Sequence, residues 1–236
     1  MTRRRFALMR QTWANIVWCH WPVDPEQVAA VLPDGLTPDL FDGHAWVGLI
    51  PFSMERLRPP GPFGFITRAL RSANFGEVNV RTYVKGPDGK SGVWFCTLDA
   101  DSAIAVVMAN AAFGLPYRVA KTSFRAEGNR RIWTSTRRRD GAQAAVTVTV
   151  GDEVSRPASP GLETFLFERY SLYALCRGRI IRGELTHRPW LIRPASLDSL
   201  VDETVQRAGF HVAGDPHVFV GEPVEVSVFA MTVVDR

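Results

Sequence analysis

The segment 77–84 alternates in polarity from one residue to the next, which is the pattern of a β-strand with two different faces. One face carries only side chains with polar groups, namely Glu77, Asn79, Arg81 and Tyr83. The opposite face carries Val78, Val80, Thr82 and Val84. A Gly-Pro-Asp-Gly sequence at 86–89 leads into the apolar segment 92–99, so 77–99 is predicted to be a β-hairpin.

This wholly polar strand face has two interpretations, a surface in contact with solvent and the lining of an internal pocket. At a rise of ~3.3 Å per residue, Glu77 and Arg81 stand roughly 13 Å apart along the strand, too far to pair with each other. Each must then find partners across the sheet, as it would in a polar cavity inside a barrel. On the opposite face, Val78, Val80 and Val84, together with Phe95, are expected to pack against helices.

The rest of the chain predicts many short strands and a few helices. Strands are predicted at 13–21, 44–57, 118–126, 130–138, 143–151, 171–186 (as several segments) and 217–234 (as one strand or a pair). Helices are predicted at 25–31 after Asp24, at 102–112 as a buried helix ending at Gly114, at 160–169, and at 196–208 after Ser196. The proline- and glycine-rich segment 59–64 is predicted to be a loop.

The fold class follows from this pattern and from the composition. Sixteen prolines, 19 glycines and 11% aromatic residues favour many strands separated by turns. We therefore predict an α+β protein with mainly antiparallel β-structure, closed into a barrel-like form with a few peripheral helices. No repeat or change in composition marks a boundary, so residues 12–236 are expected to form a single domain after a basic, flexible N-terminal tail of residues 1–11.

Charge and composition exclude several partners. The net charge of +4 is accounted for by four arginines within residues 1–10, so no nucleic-acid partner is expected. No apolar run approaches the roughly 20 residues needed to span a bilayer, so no membrane partner is expected either. Residues 2–6 resemble a twin-arginine export signal, but polar residues interrupt the stretch that follows. Three separated cysteines favour free thiols in the cytoplasm. Homo-oligomerisation remains open.

The chain lacks the motifs of several large enzyme classes. Its five histidines never fall into H-x-H, H-x-x-x-H or H-E-x-x-H spacing, so no metal site is predicted. It contains no G-x-S-x-G, P-loop or G-x-G-x-x-G sequence. No cofactor is therefore expected.

Several runs of residues, spread over roughly residues 12–230, resemble one family. They are LFDGHAWVG at 40–48, EVNVRTYV at 77–84, LPY at 115–117, FLFERY at 165–170 and HRPW at 187–190. This combination resembles the YqjF-like family of uncharacterised proteins, which is in turn similar to acetoacetate decarboxylases. The resemblance implies a mainly antiparallel, closed, cone-like β-barrel around an internal cavity.

The same resemblance implies site residues. Glu77 matches the acidic residue of the decarboxylases, and Gly114-Leu115-Pro116 looks like the turn that precedes their Schiff-base lysine. Tyr117 stands where that lysine would be, and Arg118 stands where a second cation would follow it. Chemistry through an imine is therefore not expected.

The first functional hypothesis is a protein that binds a small carboxylated or carbonyl-bearing metabolite in an internal polar cavity. Its candidate catalytic residues are Glu77 and Tyr117, acting by acid–base chemistry without a Schiff base. Its candidate ligand-binding residues are Asn79, Arg81, Tyr83, Trp94, Arg118, Lys121, Arg169 and His187. One alternative is a lyase of acetoacetate-decarboxylase type with Lys121 as a displaced nucleophile. Another is a non-catalytic interaction protein with a vestigial cavity.

Burial also predicts the charge partners of this site. A buried carboxylate is costly without a cation, so Glu77 is expected to be ionised beside Arg118 or Arg169.

Overall fold

The computed structural model describes residues 6–58 and 74–235, without the side chain of residue 112. These ranges contain sixteen strands and four helices. The strands are β1 Met9–Ala14, β2 Val17–Val23, β3 Thr37–Pro38, β4 Ala45–Arg58, β5 Phe75–Lys85, β6 Ser91–Ala100, β7 Tyr117–Glu127, β8 Arg130–Arg137, β9 Gln143–Val150, β10 Arg156–Pro157, β11 Ser171–Cys176, β12 Arg179–Thr186, β13 Leu191–Asp202, β14 His217–Gly221, β15 Val224–Val228 and β16 Thr232–Val233. The helices are α1 Pro25–Ala29, α2 Ala103–Phe113, α3 Leu162–Phe167 and α4 Glu203–Arg207.

The sheet is mainly antiparallel, as predicted, with β6 pairing in parallel to both β7 and β11. From β4, pairings run through β1, β15, β12 and β11 to β6. A second series runs from β6 through β7, β8, β9, β13, β14 and β2 back to β4. Both series connect β4 with β6, and β5 pairs with these two strands, so the two faces of β5 lie in different surroundings.

The two faces of β5 pack into different apolar clusters. Tyr83, on the polar face, belongs to a cluster with Trp18, Phe167 and Trp190, which we call the aromatic cluster. On the opposite face, Val78 and Val80 pack into a second cluster that includes Trp133, Val146 and Val148, and Val84 packs into a third with Leu36, Tyr173 and Ile180.

The expected partners of the apolar face were therefore wrong in part. Val78 and Val80 pack mainly against other strands, although Val28 of α1 and Val205 of α4 also belong to their cluster. Phe95 contacts the aromatic cluster instead, because a β-bulge leaves Cys96 unpaired and places Phe95 directly opposite Arg81.

Two of the predicted helices need correction. Helix α2 forms and ends at Gly114, which has a φ of 62°, but it is not buried, since Val107 is 66% exposed. The helix predicted at 196–208 is wrong. Residues 191–202 form β13, which pairs with β9 and satisfies that strand's backbone groups, and only Glu203–Arg207 is helical.

The N-terminal region is more ordered than predicted. Met9–Ala14 forms β1 between β4 and β15, so residues 9–11 do not belong to a flexible tail. The strand predicted at 13–21 is divided at Asn15, whose φ is 54°. The loop predicted at 59–64 lies outside the described residues. Within those residues, no helix is long and apolar enough to cross a membrane.

Candidate functional site

Glu77 and Tyr117 meet across β6. In the register of the sheet, Glu77 lies opposite Ala100, and Tyr117 lies opposite Leu98 on the other side of β6. Tyr117 Oη donates a hydrogen bond of 2.9 Å to Glu77 Oε2, and Glu77 is only 2% exposed. Asn110 of α2 fixes the start of β7, since its amide group hydrogen-bonds to both the N–H and the C=O of Tyr117.

Burial dominates the electrostatics of this pair. It raises the pKa of Glu77 from 4.5 to about 7, and the negative charge of Asp99 acts in the same direction. Hydrogen bonds with Tyr117 and Asn79 only partly oppose the rise. Burial, followed by the charge of Glu77, raises the pKa of Tyr117 well above 10. Near neutral pH, Tyr117 is therefore a phenol, and the Glu77 carboxyl both binds and releases a proton.

The expectation that arginines keep Glu77 ionised was wrong. Arg118 lies opposite Asp99, on the face of the sheet turned away from Tyr117, and its side chain is exposed. Arg169 is held by Asp39 at 2.7 Å. Among the described residues, no arginine forms an ion pair with Glu77 within 4.0 Å. Instead of pairing with a cation, the buried Glu77 carboxyl takes up a proton more readily than an exposed one.

Arg81 and Tyr83, on the same face, form a second polar group. Arg81 Nη2 donates to Tyr83 Oη at 3.2 Å and to the carbonyl oxygen of Leu166 at 3.1 Å. Tyr83 Oη donates to that carbonyl at 2.9 Å. Arg81 Nε is buried and has no partner within the described part of the chain. Arg81 therefore keeps an unused donor on the face that carries Glu77.

His20 belongs to this second group, although the sequence analysis did not select it. Its Nε2 lies 2.7 Å from Tyr83 Oη. The tautomer of His20 decides which of these two atoms is the donor. Burial, with the positive charge of Arg81, lowers the pKa of His20 well below 6.5, so the ring is neutral. A Cβ atom on Gly48 of β4 would lie 2.7 Å from the His20 ring. A glycine within a strand can mark the close approach of another group, and here that group is His20.

His187 packs against Trp190 of the aromatic cluster. Its ring stacks on Tyr170 with centroids 4.7 Å apart, and it contacts Trp13 and Trp190. Burial, the largest influence, lowers its pKa, and the charge of Arg81 lowers it further. Arg169 packs over the ring of Tyr83 at 5.0 Å.

Two further candidates do not share the interior with Glu77. Trp94 lies opposite Thr82, on the other face from Arg81, and lines a cavity of about 260 Å³ with Cys96, Pro116 and other residues. Lys121 has an exposed side chain, four residues beyond Tyr117 on β7. In the described ranges, no group of three or more His, Cys, Asp or Glu side chains is placed to hold a metal ion.

Comparison with known sequences identifies the family. The profile of a family of uncharacterised conserved proteins, DUF2071, matches residues 10–225. The chain belongs to this family. The uncharacterised protein YqjF of Bacillus subtilis (strain 168) is similar to this chain. The two are 32% identical over 205 residues, which are 86% of this chain and 82% of YqjF. The resemblance inferred from the sequence is confirmed.

Solved structures share the fold of this DUF2071 protein. Acetoacetate decarboxylase from Legionella pneumophila has a TM-score of 0.69 and 15% identity, and the match covers 100% of this chain and 92% of the decarboxylase. For an acetoacetate decarboxylase-like enzyme from Sphingomonas wittichii RW1, the TM-score is 0.68 and the identity is 13%. The match covers 98% of this chain and 94% of that enzyme. For the enduracididine biosynthesis enzyme MppR complexed with pyruvate, the TM-score is 0.68 and the identity is 15%. The match covers 99% of this chain and 92% of MppR. At these identities the likeness concerns the fold alone.

Proposed function

We propose that this DUF2071 protein binds a small carboxylated or carbonyl-bearing metabolite on the Glu77 face of β5, within a closed, cone-like barrel. Any catalysis there is acid–base chemistry by Glu77 and Tyr117, without a Schiff base. The observation that carries the proposal is the buried Glu77 carboxyl, which accepts a hydrogen bond from the half-buried phenol of Tyr117 and whose pKa burial raises to about 7. Its three free cysteines favour a reducing cytoplasm as its compartment.

The chemistry of the face supports this assignment. A general acid or base works best when its pKa lies near the working pH, and Glu77 meets that condition. Arg81 supplies a partly buried guanidinium with an unused N–H, which suits a carboxylate group of the ligand. Between them, Asn79 presents a buried amide oxygen with no hydrogen-bond partner among the described residues. A ligand with a hydroxyl or N–H group would satisfy it.

Isothermal titration calorimetry with pyruvate, acetoacetate and related carboxylates tests this function, pyruvate being chosen because MppR, which shares the fold, binds it. We expect saturable binding of at least one of these acids. Arg81→Gln should weaken it by about ten- to a hundredfold, since a hydrogen bond to a charged group contributes about 1.5–3 kcal/mol. Arg125→Gln, which changes an exposed arginine on β7, is the control and should leave the affinity unchanged. If none of these acids binds, the proposal fails, and a non-catalytic interaction protein becomes the better account.

The absence of a Schiff base is a separate prediction. Lys121 is about 13 Å from Tyr117 along β7, and a lysine side chain of ~6 Å cannot cover that distance. The other two lysines, Lys85 and Lys90, lie 3.5 Å from Asp39 and Glu184. Treatment with borohydride in the presence of acetoacetate or pyruvate should therefore leave the mass of the protein unchanged. A stoichiometric adduct on Lys121 would overturn this prediction and restore the lyase alternative.

A further inference from the structure

A second cavity, of about 160 Å³, lies where β1 passes between β4 and β15. Three arginines line it: Arg10 of β1, and Arg56 and Arg58 of β4. The proposed chemistry of Glu77 does not use these side chains.

The sheet register brings these arginines together. Arg10 lies directly opposite Arg58 on one side and Ser227 on the other. Like charges directly opposite each other in a sheet destabilise it unless something compensates them. Next to this pair, the β1–β4 register shifts by one residue, and Arg56 adopts a φ of 52° at the resulting bulge. Such a conformation is uncommon for a residue other than glycine.

The three arginine side chains are exposed, and ion pairs with other described residues do not balance their charges. Among the described residues, none of the three arginines has a carboxylate oxygen within 4.0 Å. One carboxylate, that of Glu225, also lines the cavity. Glu55 lies opposite Thr12 on β4, one pair further along the sheet. Around the cavity wall, three positive charges thus face one negative charge.

Hydroxyl groups lie on the same face of the sheet as Arg10. Thr12 is two residues further along β1, and Ser227 lies directly opposite Arg10 on β15. Gln11, between Arg10 and Thr12, points to the other face, where it lies opposite the buried Val226. The hydroxyls of Thr12 and Ser227 add two more groups able to donate or accept hydrogen bonds.

We propose that this cavity binds the phosphate group of a small phosphate ester or of free phosphate. Guanidinium groups pair well with phosphate, whose several oxygens accept from three arginines at once, whereas a carboxylate offers two oxygens and one charge. The volume is sufficient, since an engineered cavity of about 150 Å³ in another protein holds benzene, with six heavy atoms, and phosphate has five.

Calorimetric titration of the full chain with inorganic phosphate and with glycerol 3-phosphate, at constant ionic strength in chloride buffer, tests the proposal. We expect saturable 1:1 binding of at least one of them. Arg10→Gln and Arg58→Gln should each weaken it about tenfold or more. The control Arg139→Gln, which changes an exposed arginine outside the cavity, should leave it unchanged. If phosphate binds and glycerol 3-phosphate does not, the site takes the free ion; the reverse result identifies an ester.

The stability of the variants separates a binding role from a structural one. Without phosphate, Arg58→Gln should unfold at the same temperature as the wild type or higher, because it removes a like-charge pair. With phosphate, the wild type and Arg139→Gln should gain more stability than Arg10→Gln and Arg58→Gln. No saturable binding by wild-type protein, equal weakening in Arg139→Gln, or acetate binding as tightly as phosphate would each overturn the proposal. None of these results depends on whether a carboxylic acid binds near Glu77.

Discussion

Replacing Arg137 by methionine is expected to lower the free energy of unfolding by about 3–5 kcal/mol. Arg137 is 4% exposed and Asp99 is fully buried. Arg137 Nε donates to Asp99 Oδ1 at 3.0 Å, and Nη2 donates to Asp99 Oδ2 at 3.2 Å and to Thr97 at 3.1 Å. Methionine keeps much of the apolar stem but leaves the Asp99 carboxylate buried without its cation. Equilibrium unfolding in urea at neutral pH measures the loss.

Two further variants show whether the unpaired charge is the cause. Arg125→Met, at an exposed site, should change the free energy of unfolding by less than about 0.5 kcal/mol. The double variant Asp99→Leu with Arg137→Met should recover much of the loss, because removing both members of a buried pair is often close to neutral. If Arg137→Met lowers the free energy of unfolding by no more than Arg125→Met does, the ion pair of Arg137 with Asp99 does not stabilise the fold.

Glu77→Gln is expected to stabilise the protein at pH 8 by about 3 kcal/mol, with no comparable gain below pH 4.5. The pKa of Glu77 is about 7 in the folded protein and 4.5 for an ordinary glutamate. Between these values the folded state holds a proton that the unfolded state has released. The contribution of Glu77 to stability is therefore fully present below pH 4.5 and is lost as the pH rises to about 7 and above. Glutamine is neutral at every pH, so the stability of the variant does not fall in this way as the pH rises.

Thermal unfolding of the ligand-free protein from pH 4 to 8 measures the effect. For a chain of this size, 1 kcal/mol corresponds to roughly 2–4 °C, so the two curves should separate by about 6–12 °C at high pH. Glu153→Gln, at an exposed acid, is the matched control and should follow the wild type. Parallel curves for Glu77→Gln and the wild type would mean that Glu77 is ionised at neutral pH in the folded state.

The local pattern was sufficient for the central hairpin. Strict alternation over 77–84 predicts both the strand and the shared face of Glu77, Asn79 and Arg81, and the structure contains both. The glycine-containing turns at 127–129 and 140–141 likewise indicated that β7, β8 and β9 follow one another as neighbouring strands. The runs of residues that match the family added the fold, which local pattern leaves open.

Features that depend on distant pairing were missed. Ser196 gave a helix-capping signal, but pairing with β9 kept that segment in a strand. The bulge at Cys96, which local sequence does not reveal, turned Phe95 to the other face. Arg10 and Arg58 are 48 positions apart, and only the register of β1 with β4 shows that they are neighbours.

The charge state of Glu77 was missed for a different reason. The rule that a buried carboxylate needs a cation favoured Arg118, yet alternation along β7 places Arg118 on the opposite face from Tyr117. A carboxyl has a second response to burial, which is to remain protonated. The rule alone does not choose between these responses, because the choice depends on which groups the fold brings within reach.

A ¹³C NMR titration of the Glu77 side-chain carboxyl, assigned with the Glu77→Gln variant, tests the central claim most directly. The account predicts a midpoint of about pH 7 in the ligand-free protein, and a displaced midpoint when a bound acid saturates the site. A midpoint near the ordinary value of 4.5, unchanged by every carboxylic acid tested, would contradict both the acid–base role of Glu77 and the proposed site.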